Sequence, residues 1–128
     1  MWKLSRSSKE RRAGVDSRLI EICDLALSIS PIDFGIPADG GLRTADRQRE
    51  LFDKGVSKCD GFIRKSRHQS GLALDFFAYV DGKASWDELH LALVAASFLQ
   101  AAAALGHKIG WGGLWRSFKD FPHVELVS

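Results

Sequence analysis

Apolar and polar positions divide the chain into a small number of elements. From Val15 to Ser30 the apolar residues Val15, Leu19, Ile20, Ile22, Cys23, Leu25, Ala26, Leu27 and Ile29 recur with the spacing of a largely buried helix, started near Asp16 or Ser17. Pro31 ends it, because the residue before a proline is pushed out of the helical region. Residues 32–37 read as a short strand followed by a Gly40-Gly41 turn. Thr44 predicts a helix N-cap, and that helix runs to about Lys54 and stops at Gly55. Residues 56–65 read as a loop. From Leu72 to Val80 the chain alternates or runs apolar as one central strand should, and Asp81-Gly82 is a hairpin-type turn. Ser85 with Glu88 three residues on forms a capping box, predicting a second long helix through the alanine-rich stretch to Leu105 and Gly106. Residues 108–110 read as a short connecting strand, Trp111-Gly112-Gly113 as a turn, and 123–127 as a closing strand. Residues 1–13 are polar and basic and read as a loosely packed lead-in. The sum is an α+β fold, with helices packed on one face of a small, mostly antiparallel sheet.

Composition narrows the class without fixing the function. A chain of 128 residues is one domain's worth and hides roughly two-thirds of its unfolded surface, enough for a core without disulfide staples. With 45% hydrophobic and 27% charged residues it belongs with globular rather than disordered chains. A formal charge of +2 is too small to imply nucleic acid, and none is expected as a partner. Basic residues gather at Lys3, Arg6, Lys9, Arg11 and Arg12 and again at Arg64, Lys65 and Arg67; such a rim could attract a polyanionic polymer, with a solvated face the favoured reading. Cys23 and Cys59 are too few and too far apart for a disulfide framework. Basic residues at the start have no apolar run behind them, so no signal peptide is expected, and no run approaches the ~20 apolar residues of a membrane span. The expectation is a monomeric single domain, made in the cytoplasm, with no separate binding module and no stable membrane insertion.

Chemistry concentrates in S-R-H-Q-S-G-L-A-L-D, residues 66–75, and in the C-terminal W-G-G-L-W-R-S-F-K-D-F-P-H-V-E-L. His68 and Asp75 can reach one point if the turn between them folds back; Gly71 permits an unusual backbone angle there, and Ala73 a close approach. His123 opens a strand that could pair beside Asp75. Two histidines and an aspartate make a three-ligand Zn2+ site with a fourth position free for water. Zinc brings the pKa of its water to roughly 7. A carboxylate base then faces a mismatch of about 3 units, or roughly 4 kcal/mol, which burial could offset. Asp120 is the candidate base and Glu125 the alternative, the latter also placed to orient a ligand. Arg43 is the candidate for stabilising an oxyanion, with Arg47 and Arg49 nearby as competitors. Trp111 and Trp115 suit either a cleft lining or the core. His90 and His107 read as surface or packing residues.

These motifs resemble a known family. S-x-H-x-x-G-x-A-x-D with a later D-x-P-H looks like the zinc peptidases that group D-alanyl-D-alanine dipeptidases and carboxypeptidases with phage L-alanyl-D-glutamate endopeptidases. G-L-R-T-A-D-R-Q and W-G-G-L-W-x-x-F-x-D-x-P-H resemble the phage endolysin branch in particular, over residues 33–125. The resemblance implies a fold like that of the D-Ala-D-Ala peptidases. It implies His68, Asp75 and His123 as zinc ligands, Asp120 as acid/base where the dipeptidases carry glutamate, and Arg43 as transition-state stabiliser. Ser66 and Gln48 match recurrent positions and, with Trp115, are expected to contact substrate. The implied reaction is cleavage of the L-alanyl-D-glutamate bond in peptidoglycan stem peptides during host lysis, with release dependent on a separate pore-forming protein. A D-alanyl-D-alanine carboxypeptidase is the sister expectation, and a non-catalytic wall- or nucleic-acid-binding module the remote one.

Overall fold

The computed structural model describes residues 2–127. The strands form two antiparallel three-stranded sheets, one of which carries Asp75 and His123, and two long helices pack against the core. In chain order the elements are α1 (Arg6–Arg11), α2 (Ser17–Ile29), β1 (Asp33–Gly35), α3 (Ala45–Asp53), a 3-10 turn (Arg67–Ser70), β2 (Ala73–Asp75), β3 (Phe77–Val80), β4 (Lys83–Ser85), α4 (Glu88–Leu105), β5 (Ile109–Trp111) and β6 (His123–Leu126). One sheet has the order β1-β3-β4 and the other β2-β6-β5.

The expected central strand over residues 72–80 is therefore two strands in two sheets. The break falls at Phe76, whose N–H bonds the carbonyl of Pro122 at 2.9 Å, one step past Asp75–His123 in the same register; Pro122 has no N–H to return, and the β2–β6 ladder ends there. Its ring stays fully buried, stacked on Phe98 of α4 at 5.1 Å between centroids, and Phe98 also meets Phe34. Removing such a ring typically costs about 3–5 kcal/mol, so this aromatic contact anchors α4 across the junction of the sheets. Asp81 and Gly82 both have positive φ, 53° and 75°, as the two-residue turn between β3 and β4 requires.

Helix α2 starts at Asp16, whose carboxylate accepts the N–H of Arg18, and it packs Leu19, Ile22, Cys23 and Ala26 against α4. α4 answers with Leu91, Val94, Ala95, Phe98, Ala101 and Ala102, a 3-1-3-3-1 spacing that keeps one face inside. By length and composition it is the one helix among the described residues long and apolar enough to cross a membrane, and its inner face belongs to the core. Its N-cap is Asp87, which accepts from Leu89 N–H, and not Ser85. Ser85 is taken by β4, where it pairs with Ala78, and its hydroxyl meets His90 Nδ1 at 2.7 Å.

The lead-in is also more ordered than its polarity suggests; only Met1 of that stretch lies outside the described residues. Ser5 caps α1, Leu4 joins the core, and the buried Ser8 hydroxyl accepts the Ile36 N–H at 2.9 Å. Arg12 lies buried and pairs with Asp24 at 2.7 Å.

Candidate metal centre

Residues 66–71 fold into a turn that aims one imidazole inward. Ser66 Oγ accepts the His68 N–H at 3.2 Å while Ser66 N–H donates to Gln69 Oε1 at 2.9 Å, a reciprocal capping box written in the sequence as S-x-x-Q. Gly71 closes the turn at φ 70°, in the left-handed region that other residues resist. His68 is thereby buried to 2% exposure. Asp75 ends β2 and pairs directly with His123, the first residue of β6. Directly opposed residues project to the same face of a sheet, so the ladder itself brings these two side chains together.

One donor atom from each of His68, Asp75 and His123 lies within 4.8 Å of the others. His68 Nε2 is 3.2 Å and His123 Nδ1 3.1 Å from the same Asp75 Oδ1. The remaining ring nitrogens are both tied to acceptors: His68 Nδ1 to the Gly41 carbonyl at 2.9 Å, and His123 Nε2 to Glu125 Oε1 at 2.8 Å. A carbonyl or a carboxylate only accepts, so each outer nitrogen carries a proton, and a metal bound with Asp75 would take the lone pair of each inner nitrogen, displacing the proton that His123 Nδ1 holds against that carboxylate in the metal-free protein. Outer acceptors that fix tautomer and ring orientation are what a metal-binding histidine needs. Two imidazole nitrogens and one carboxylate oxygen fit a divalent transition metal.

Charge follows the same geometry. Burial alone would push the Asp75 carboxyl up, but the two imidazoles more than reverse it and hold that carboxyl far below the usual range. Burial pulls His123 down, and its bonds to Asp75 and Glu125 outweigh this, raising it to about 9. Glu125 is lowered by its bond to His123 and, further out, by Arg67, whose Nε is 3.1 Å from Glu125 Oε2.

Asp120 stands next to this group, its Oδ2 3.9 Å from His123 Nδ1 and its side chain 45% exposed. Burial first, and then the negative charge of Asp75, raise its pKa above the ordinary value. Its backbone rests on Gly112: Asp120 N–H donates to the Gly112 carbonyl at 3.1 Å, and a Cβ on Gly112 would collide with the Asp120 carbonyl. Arg43 reaches the site from the other side, with Nη2 3.1 Å from Asp75 Oδ2. Arg47 is committed elsewhere, to Asp39 and Glu50, and Arg49 to Asp53.

A cleft of about 790 Å³ opens over the centre, lined by Arg43, Ser66, His68, Trp115, Asp120 and Glu125 among others. Trp115 packs against His123 with centroids 5.2 Å apart, whereas Trp111 is structural, its Nε1 donating to the Phe121 carbonyl at 2.7 Å. Gln48 corrects an expectation. It is fully buried behind Arg43 and does not line the cleft, so its amide is not a substrate contact. His90 and His107 lie away from the centre, His107 beside Glu21. The backbone acceptors at Gly41 and Asp39, which hold His68 and Arg43, had no sequence signal because any residue supplies a carbonyl.

The chain's similarities to known proteins extend over its whole length. A family model described as phage L-alanyl-D-glutamate peptidase matches residues 1–127. The L-alanyl-D-glutamate peptidase of Escherichia phage T5 is 32% identical, over 98% of this chain and 98% of that protein. The peptidoglycan L-alanyl-D-glutamate endopeptidase CwlK of Bacillus subtilis (strain 168) is 32% identical over 68% of this chain and 58% of that protein. The crystal structure of Serratia marcescens L-Ala D-Glu endopeptidase ChiX superposes with a TM-score of 0.85 at 34% identity, covering 98% of this chain and 90% of that one.

Proposed function

This chain belongs to the phage L-alanyl-D-glutamate peptidase family, and from that premise we propose that it hydrolyses the L-alanyl-D-glutamate bond of peptidoglycan stem peptides, with zinc held by His68, Asp75 and His123. The observation that carries the reading is the gathering of two inner imidazole nitrogens around Asp75 Oδ1, at 3.2 and 3.1 Å, while the outer nitrogens are tied to Gly41 and Glu125. Zinc bound there supplies a Lewis acid that brings the pKa of water to roughly 7. Cysteine is absent from the donor set, and mixed nitrogen and oxygen ligation with only three protein ligands suits a catalytic rather than a structural ion.

The protein's own side chains supply the rest. Asp120 takes a proton from the attacking water and returns it to the leaving amine of D-glutamate; its raised pKa makes it a better proton acceptor than an exposed aspartate. Arg43 offers fixed positive charge to the oxyanion that forms at the scissile carbonyl. Trp115 and Ser66 line the substrate cleft. In the cell the activity is that of an endolysin: made in the host cytoplasm, let through the inner membrane by a separate pore-forming protein, and active on the wall.

Digestion of purified muropeptides, with products weighed by mass spectrometry, tests the reaction. Release of the peptide from its first alanine supports the proposal. Loss of a single terminal alanine would make the protein a D-alanyl-D-alanine carboxypeptidase instead, and full activity after exhaustive chelation would end the zinc account.

A further inference from the structure

Helix α3 is short and strongly polar, and the one side chain it buries fully is an amide, Gln48. A buried amide costs free energy unless all of its polar atoms are paired, so an apolar residue would anchor a helix more cheaply. Gln48 is paired at both ends. Its Oε1 accepts from Arg43 Nη1 at 3.1 Å, and its Nε2 donates to Ser57 Oγ at 2.8 Å and to the Cys59 carbonyl at 2.8 Å. All three partners line the cleft although Gln48 does not.

Arg43 shows what this arrangement accomplishes. Its Nε donates to the Asp39 carbonyl at 2.8 Å, Nη1 to Gln48 and Nη2 to Asp75. A guanidinium has five N–H donors in one plane. Three different acceptors therefore fix that plane and leave one N–H on each terminal nitrogen for a ligand in the cleft. Of the three, only the Gln48 amide is also bonded to the 57–59 loop, whose residues line the same cleft.

We propose that Gln48 is a positioning residue that fixes Arg43 in the cleft and makes this placement depend on the seating of the 57–59 loop. The proposal rests on the role given to Arg43 above. It assigns the two ends of one amide to two kinetic quantities: Oε1 to turnover through Arg43, Nε2 to substrate binding through the loop.

The test compares Gln48→Met and Gln48→Glu in the full chain at saturating zinc, each with and without Arg43→Ala. Turnover on muropeptide is read beside hydrogen exchange of the Arg43 Nε–H by NMR. Gln48→Met loses both ends: kcat falls by about 10²-fold, the scale of a misplaced catalytic group, KM rises, and the Arg43 Nε–H exchanges faster. Gln48→Glu keeps an acceptor for Arg43, so kcat and slow exchange are largely retained while KM rises. Without Arg43, Gln48→Met lowers kcat little further. If Gln48→Met does not fold, Gln48→Asn, one methylene shorter, carries the same expectations. Equal kcat losses for Met and Glu, or an undiminished loss with Arg43 already gone, would overturn the proposal alone. Full kcat in Arg43→Ala would overturn the role of Arg43 and this proposal with it.

Discussion

Asp75 and His123 are directly paired residues of β2 and β6, and their side chains meet at 3.1 Å through Asp75 Oδ1 and His123 Nδ1. The sheet register is thus also the registration of the metal centre. A one-residue slip of β6 would send His123 to the opposite face, so the apolar neighbours that lock the register, Leu74 and Val124, hold the ligands as well.

Asp75→Asn should separate metal binding from folding. Asparagine keeps the volume and the β2–β6 ladder but removes the charge on which both imidazoles converge. Zinc affinity should drop by more than the roughly 10–100-fold that follows loss of an outer hydrogen-bond partner, with far-UV circular dichroism unchanged. Wild-type zinc affinity in this variant would remove Asp75 from the ligand set.

Asp120→Asn should do the reverse. Its side chain approaches His123 only to 3.9 Å and is half exposed, so the metal group and the fold do not depend on it. Turnover should fall by about 10²–10⁴-fold, the contribution typical of a positioned proton carrier, with zinc stoichiometry retained. An unchanged rate would assign the base to another group.

The parts of this site legible in the sequence were those with their own side-chain chemistry. Thr44 caps α3, Asp16 caps α2, and the Asp81-Gly82 turn appears where the residues demand it, because each feature is local. The break at Phe76 was not legible: an apolar run reads alike whether one sheet or two will use it, and the choice is made by Pro122, 46 positions away in the chain. Ser85 and Asp87 both had capping chemistry, and pairing of Ser85 with Ala78 in β4 decided between them. α1 escaped because Ser8 is the one residue it buries, leaving no apolar stripe to detect. Gln48 was visible as a motif residue, but its burial depends on loop 57–59 folding over it.

Glu125 should tune the metal rather than bind it. It lies 2.8 Å from the outer nitrogen of His123 and is itself held by Arg67. Glu125→Ala should weaken zinc binding by about 10–100-fold without changing which muropeptide bond is cut. Isothermal titration with zinc would read the loss, and unaltered affinity would show the contact to be incidental.

In metal-free protein the stability should decline on the alkaline side. His123 is raised to about 9 in the folded state against an ordinary value of about 6.5. The protonated ring therefore contributes stability that is full below about pH 6.5 and is lost as pH rises through about 9. Asp75, lowered by the same contact, acts oppositely: its contribution is present above about pH 4 and is lost as pH falls toward its depressed folded value. Zinc replaces the His123 proton, so the alkaline decline should vanish in the loaded protein and zinc affinity should rise with pH up to about 9. Thermal melts with chelator and with zinc, from pH 6 to 10, would show it; parallel curves would refute it.

Gly112→Ala carries the reasoning to the backbone. The new methyl would collide with the Asp120 carbonyl and come within 2.9 Å of its Cβ. That contact is to main chain, which cannot swing aside as a flexible side chain can. The segment bearing Asp120 must move, and with it the Asp120 N–H bond to the Gly112 carbonyl. A shift of about 1 Å at a catalytic group can cost 10²-fold in rate, so turnover should drop on that scale. His123 is fixed independently by its ladder to Asp75, so zinc should still bind. Gly113→Ala makes an informative companion, because the side chain it would meet is the Trp111 ring rather than Asp120. If both variants lose rate equally and shed their zinc, the segment acts only as general packing, and the specific support of Asp120 by Gly112 is wrong.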